Sequence, residues 1–455
     1  MKSANKTQLL FLLIMLVCSL SASAQQKPIA LTGATIVDVT NYGNTNHDLH
    51  NAVVIIQNGK IIKVGSKPKT KIPKGAQVID VTGKYIVPGL IDGFTTINNQ
   101  GQANAYLYMG VTTVGGGMRR DEGRGEFFYG ADPSPSIKQI ESIPGDIADD
   151  TLEYKEKLSP EDIHRISHEL DKIDSLKSAR VSTILVHHRF PVEMLNKLMR
   201  QLKKHNMSAI GELNLMPYQT AMDAGINSFV HTSRYILGAM PDSVRIPNMK
   251  TPEDTAVFKI WRSWFYNFSI DADTGFINYG KKIASSGTAL MPTLSLLYSS
   301  LPNHKNLWKE PAAVLLDPKD IWLPMDTATG KSNSVISARR ALRELEIEKG
   351  FAKVGAHYVT GSGADAVGAM PGISEHIEIE MLHNIGLTNR QALAAATNNF
   401  SIFYRWKEIG LIEAGRNADV LVLSTNPTED LENLKKIEIV FLNGKRINRL
   451  QLLKK

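Results

Sequence analysis

Tyr85-Ile86-Val87-Pro88-Gly89-Leu90-Ile91-Asp92 reads as a strand, and it opens the series that decides the architecture. Downstream, short β-branched runs recur at residues 111–114, 181–186, 209–213, 228–231, 289–294 and 357–361. Between them lie helix-forming stretches at residues 191–205, 218–224, 334–350, 373–385 and 388–398. Strands that alternate with amphipathic helices are expected to lie parallel, and the count fits a barrel. One strand is missing from the series, and residues 121–159 are too irregular in pattern to place it. Two further stretches, the aromatic-rich residues 261–268 and residues 299–334, read as long insertions of the kind that build the mouth of such a barrel.

Both flanks carry a different pattern. Ala52-Val53-Val54-Ile55-Ile56, Asn58-Gly59 and Ile61-Ile62-Lys63-Val64 spell strand, tight turn and strand. Near the other end the same order returns, with Asp419-Val420-Leu421-Val422-Leu423, then Ile437-Glu438-Ile439-Val440-Phe441, Asn443-Gly444 and Lys445-Arg446-Ile447. Two β-rich ends therefore bracket an α/β middle, with no internal repeat and no low-complexity segment.

Of 455 residues 43% are hydrophobic and 21% charged, enough apolar material for a large core and too little charge for a disordered chain. Residues 1–24 read as a secretory leader: Lys2 and Lys6, the apolar run Leu9 to Val17, and Ala22-Ser23-Ala24 as a cleavage site. The apolar run is shorter than the ~20 residues a membrane-spanning helix needs. The one cysteine, Cys18, lies inside the leader, so the mature chain is expected to fold without disulfides in a periplasmic or extracellular setting. The formal charge of +7 includes both leader lysines and forms no Lys/Arg block, which argues against nucleic acid as a partner.

Several motifs then narrow the family. Val87-Pro88-Gly89-Leu90-Ile91-Asp92 resembles the first barrel strand of the amidohydrolase superfamily. Leu411-Ile412-Glu413-Ala414-Gly415-Arg416-Asn417-Ala418-Asp419-Val420 resembles that superfamily's return into its small β-domain. Gly110-Val111-Thr112-Thr113-Val114, Asp223-Ala224-Gly225-Ile226-Asn227-Ser228 and Gln391-Ala392-Leu393-Ala394-Ala395-Ala396-Thr397 fit between them in the right order. The nearest branch is that of the imidazolonepropionase-like and prolidase-like members. The resemblance implies a metal-dependent (β/α)8 TIM-type barrel over residues 87–416. A small β-sandwich made from residues 25–86 and 417–455 would flank it.

The family's metal ligands are where this sequence departs from the pattern. Relatives follow the first-strand motif with two histidines at alternate positions, which face the barrel interior. Here those positions are Phe94 and Thr96, and a phenyl ring cannot ligate a divalent ion. The position of the bridging lysine falls on Leu185, that of the fifth-strand histidine on Glu212, and that of the eighth-strand aspartate on Gly363. Only the sixth-strand histidine matches, at His231. A hydrolytic metal needs about three protein ligands, so the expectation is no cofactor, with zinc only if the site has been rebuilt.

His231, Glu212 and Asp365 are the candidate catalytic residues. Each could serve acid-base chemistry at a strand end, and each has a plain structural alternative: a satisfied inherited histidine, an arginine-paired carboxylate, a loop or capping aspartate. His187-His188-Arg189 reads as a loop packed against the following helix, with at most one histidine facing the mouth. His376, Glu378 and Glu380 sit in a helix and are expected to face mostly solvent. Gly361-Ser362-Gly363 and Gly115-Gly116-Gly117 read as turns, since neither a nucleophile elbow nor a phosphate-loop lysine accompanies them.

Three functional readings follow. In the first, the chain is a non-metallo homologue that keeps its pocket and binds a small ligand or a partner protein such as an active relative. In the second, it is a hydrolase acting on a cyclic amide, a dipeptide or another non-standard C–N bond through a rebuilt site. In the third, it is a purely structural surface protein with a closed mouth. A homodimer is expected from the resemblance alone.

Overall fold

The computed structural model describes residues 27–116, 130–143, 159–178, 180–187, 190, 192–213, 217–241, 255–364 and 366–454. The expected leader, Gly117, His188, Arg189 and Asp365 lie outside the described residues. In chain order the strands are β1 (Ile29–Ile36), β2 (Leu49–Gln57), β3 (Lys60–Ser66), β4 (Gln77–Asp80) and β5 (Tyr85–Pro88). They continue as β6 (Leu90–Thr95), β7 (Val111–Gly116), β8 (Ser136–Ile143), β9 (Val181–His187), β10 (Ser208–Glu212), β11 (Ser228–Val230) and β12 (Ala289–Met291). The last are β13 (Val420–Leu423), β14 (Ile437–Leu442) and β15 (Lys445–Ile447).

β6 to β12 form one sheet in sequential order, every pairing parallel, as the helix-separated runs require. It is the half-barrel of an α/β fold. The missing strand is β8: its isoleucines, Ile137, Ile140 and Ile143, fall three apart and imitate a helical period. The run expected at residues 357–361 is not a ladder strand. Tyr358 makes a single parallel bridge to Leu290, while Val359 N donates to Leu290 O and Gly93 N donates to Thr360 O. This segment therefore touches both β12 and β6.

Helices pack on the outer side of the parallel sheet. Val192–Lys204, Ala338–Lys353 and Ile373–Asn384 fall where the pattern places them, while the expected 388–398 helix is split into Asn389–Ala395 and Asn398–Phe403. Thr388 starts the first half with a capping box through Gln391. The aromatic stretch 261–268 is mostly helical: it continues the helix Thr255–Asn267, one of several elements between β11 and β12. Residues 299–334 do form a long excursion, carrying only short 3-10 turns such as Pro311–Leu315.

The two β-rich ends combine into one eight-stranded sheet, ordered β15-β14-β13-β5-β1-β2-β3 with β4 on β1. β5 and β13 pair antiparallel, from Val420 opposite Pro88 to Leu423 opposite Tyr85. Since β5 ends at Pro88 and β6 begins at Leu90, this sheet fixes where the first parallel strand starts.

On its concave face the parallel sheet buries Ile91, Phe94, Ile140, Leu185, Ile210, Val230, Met291 and Val359 in one cluster. Phe400, Phe403, Tyr404 and Trp406 join the same cluster, with Phe400 and Trp406 stacked 5.3 Å apart. At the strand starts, Ser208 Oγ donates to Tyr404 O at 2.6 Å, and Ser228 Oγ lies 2.5 Å from Tyr404 Oη. The aromatic cluster thus seals that end, and the opposite strand ends are left to form a site.

Candidate functional site

The site is built where the parallel strands end. β6 carries a bulge between Asp92 and Thr95, which resets the alternation so that Ile91 and Phe94 share the concave face. Gly93 is required there, since a Cβ would meet the Phe400 ring at 2.4 Å. Thr96, expected to face the interior beside Phe94, lies past the end of β6, where Asn98 Nδ2 donates to its hydroxyl at 3.4 Å. Strand alternation does not carry beyond the strand. Leu185 is fully buried in the concave cluster, and Gly363, with φ +59°, donates its N–H to Phe94 O at 2.8 Å.

Glu212 ends β10, half-buried, and its carboxylate lies 3.5 Å from Arg234 Nε. His187 stands opposite Glu212 in register, two residues beyond Leu185 and Ile210, so parity puts it on the concave face rather than against the following helix. His231 follows β11. Its ring meets Phe94 edge-on, with centroids 5.4 Å apart and planes at 88°. Its Nδ1 lies 2.7 Å from Thr293 Oγ1, and Nε2 has no hydrogen-bond partner among the described residues.

Strain marks this corner. His231 has φ +64° and Thr293 φ +55°, a region that costs an L-residue roughly 1 kcal/mol or more. His231 N donates to Met291 O at 3.0 Å, which ties the turn after β11 to the end of β12. Burial holds the His231 pKa below the ordinary histidine value; Glu212 opposes that shift, while the Arg234 and Arg340 cations reinforce it. Arg340, near the start of the helix Ala338–Lys353, also donates from Nε to Glu344 at 2.7 Å. Nothing in the sequence flagged Arg234, Arg340 or Thr293, because contacts between separate strand ends leave no spacing signal.

Behind the mouth lies a buried carboxylate group. Asp92 accepts from Ser362 N at 2.9 Å and from Ser362 Oγ through a short bond, and burial pushes its pKa up to about 6. Glu378 accepts from Ser295 N at 2.7 Å and is pushed up to about 8, again by burial. Both Glu375 oxygens are buried without a hydrogen-bond partner among the described residues, and burial raises this acid well above its usual range. Glu348 accepts from Tyr235 at 2.6 Å and from Tyr358 at 3.0 Å, and burial brings it to about 7.

These acids correct the solvent-facing expectation for the helix Ile373–Asn384. His376 and Glu378 are buried and only Glu380 is partly exposed, because the helices Ser295–Tyr298 and Asn389–Ala395 and the turn Leu431–Lys435 enclose the helix on several sides. His376 Nε2 sits 2.7 Å from Met109 O, and burial takes its pKa down to about 4. Among the described residues no three His, Cys, Asp or Glu side chains converge closely enough to hold a metal ion. No described helix is long and apolar enough to cross a membrane.

Residues 78–447 match the amidohydrolase family. Among solved structures, molinate hydrolase is 16% identical with a TM-score of 0.60, covering 94% of this chain and 96% of its own. A Xaa-Pro dipeptidase with bound methionine in the active site is 14% identical with a TM-score of 0.58, covering 92% and 100%. The ochratoxinase of A. niger is 17% identical with a TM-score of 0.56, covering 92% and 95%. At such identities the likeness is one of fold. No curated protein matches the sequence.

Proposed function

Because the chain belongs to the amidohydrolase family, we propose that it is a member in which the mouth of the barrel binds a small carboxylate-bearing ligand without a metal ion. The observation that carries this reading is the Phe94 ring set edge-on against His231, where relatives place a ligating histidine. The donors around it do not fit a divalent ion: Leu185 is aliphatic, Glu212 pairs with Arg234, and Gly363 has no side chain. The Arg234 guanidinium, beside Glu212 and with 42% of its side chain exposed, is the cation that would receive the ligand's carboxylate. The methionine held by one fold neighbour is likewise a small molecule that carries a carboxylate.

On this reading residues 87–416 close into a barrel through the 357–361 segment, and the β-rich ends form the flanking sandwich. Residues 1–24 direct export. A second reading, hydrolysis of a C–N bond by a rebuilt site, is favoured by the partnerless Nε2 of His231 near Glu212, which could act with Asp365.

Elemental analysis of the purified protein, with a chelator-treated control, tests the proposal. Metal below about a tenth of an equivalent is expected, together with a rise in Tm on adding L-methionine or a Xaa-Pro dipeptide. Stoichiometric zinc, manganese or iron that His231→Ala removes would overturn it. Turnover abolished by both Glu212→Gln and His231→Ala, in folded protein, would establish the hydrolase instead.

A further inference from the structure

His231 and Thr293 face one another across the ends of β11 and β12, each in a backbone conformation its residue type rarely adopts. Thr is β-branched and has no intrinsic reason to sit at φ +55°. What this conformation achieves is visible in the hydrogen bonds. Thr293 Oγ1 lies 2.6 Å from Pro292 O and 2.7 Å from His231 Nδ1.

A threonine hydroxyl has one proton and two lone pairs. Pro292 O is a carbonyl and can only accept, so an oxygen–oxygen distance of 2.6 Å requires the Thr293 proton to lie on that line. Toward His231 the same oxygen then has only lone pairs to offer. The 2.7 Å contact is a hydrogen bond only if Nδ1 carries the proton.

We propose that Thr293 is a positioning residue that fixes His231 as its Nδ1–H tautomer, so that the Nε2 lone pair is the acceptor presented at the mouth. The hydrogen-bond chain runs from Nδ1–H to Thr293 Oγ1 and from Thr293 O–H to the Pro292 carbonyl, and no proton is transferred along it. A ligand must then bring a hydrogen-bond donor to Nε2: an ammonium, an amide N–H or a hydroxyl. Combined with the half-exposed Arg234 guanidinium, this selects small molecules that pair such a donor with a carboxylate, as amino acids and dipeptides do. The ligand class rests on the reading of the mouth as a binding site, whereas the tautomer does not.

The test is nitrogen NMR of the full chain labelled at the histidine ring nitrogens, at pH 8 and without added ligand. The His231 signals are identified by their loss in His231→Gln. The expected result is a protonated Nδ1 and an unprotonated Nε2 in the wild type, retained in Thr293→Ser and inverted or averaged in Thr293→Val. A wild-type protein with its proton on Nε2 would overturn the inference, and this needs no variant to fold. An unchanged pattern in folded Thr293→Val would overturn it equally. Titration with L-methionine, read on the same signals, reports separately on the ligand: if nothing shifts while the tautomer stands as expected, the binding proposal fails and the role of Thr293 holds.

Discussion

Glu378→Gln should change the sign of a stability difference as pH rises. Glu378 is fully buried, accepts from Ser295 N at 2.7 Å through one oxygen, and meets no donor at the other among the described residues. Burial raises its pKa from 4.5 to about 8, so folding near neutral pH takes up a proton that the unfolded carboxylate lacks. The stability that the acid contributes is complete below pH 4.5 and is lost as pH climbs through about 8. Each pKa unit corresponds to 1.36 kcal/mol, which makes about 5 kcal/mol the ceiling of the effect.

Glutamine keeps the acceptor for Ser295 and cannot ionise. The variant should equal or trail the wild type at pH 5, then exceed it by about 2 to 4 kcal/mol at pH 8.5. Urea unfolding at half-unit pH steps reads both curves. His376, whose depressed pKa works in the opposite direction at acid pH, is present in both proteins and cancels in the difference. Parallel curves across pH 5 to 8.5 would refute the reasoning, because they would mean that Glu378 is ionised inside the fold.

Other substitutions probe separate parts of the structure. Phe94→His with Thr96→His should not create nanomolar zinc affinity, since Leu185 and Gly363 supply no further ligand and Thr96 lies beyond the strand; isothermal titration with zinc decides it. Arg390→Ala should cost roughly 2 to 4 kcal/mol in urea unfolding, because Asp48, only 12% exposed, loses a two-pronged partner at 2.6 and 3.1 Å. Tyr235→Phe should cost about 1 to 2 kcal/mol by removing one of the two tyrosine donors to Glu348; an unchanged midpoint would show that this bond contributes nothing.

Much of the fold was legible because local pattern and global packing agree along β6, β7, β9, β10 and β11, where apolar runs are bounded by turn signals. β8 was not, since it carries Lys138 and Gln139 among its isoleucines, and the partner that accommodates Lys138, Glu408, is far away in the chain. The burial of Glu375, His376 and Glu378 was illegible for a related reason. A charged side chain signals exposure unless its neighbours are known, and here burial neutralises the acids instead of expelling them. At the site, His231 and Glu212 could be found by their place at strand ends. Thr293 could not, because its role depends on a hydroxyl that meets a histidine sixty-two positions earlier in the chain.

The pairing of β5 with β13 also has a bearing on biosynthesis. Residues 85–88 leave the ribosome more than three hundred positions ahead of residues 420–423, which cover their edge. Until then one side of β5 presents unsatisfied N–H and C=O groups next to a buried apolar run, a template for pairing with another nascent chain. The half-barrel in between can assemble by neighbour-to-neighbour pairing as each strand emerges, whereas the end-built sheet cannot be completed until β13, β14 and β15 have emerged. Vectorial production therefore places the aggregation hazard at β1 to β5, and a holdase acting on that β-rich segment would protect the chain when it is most vulnerable.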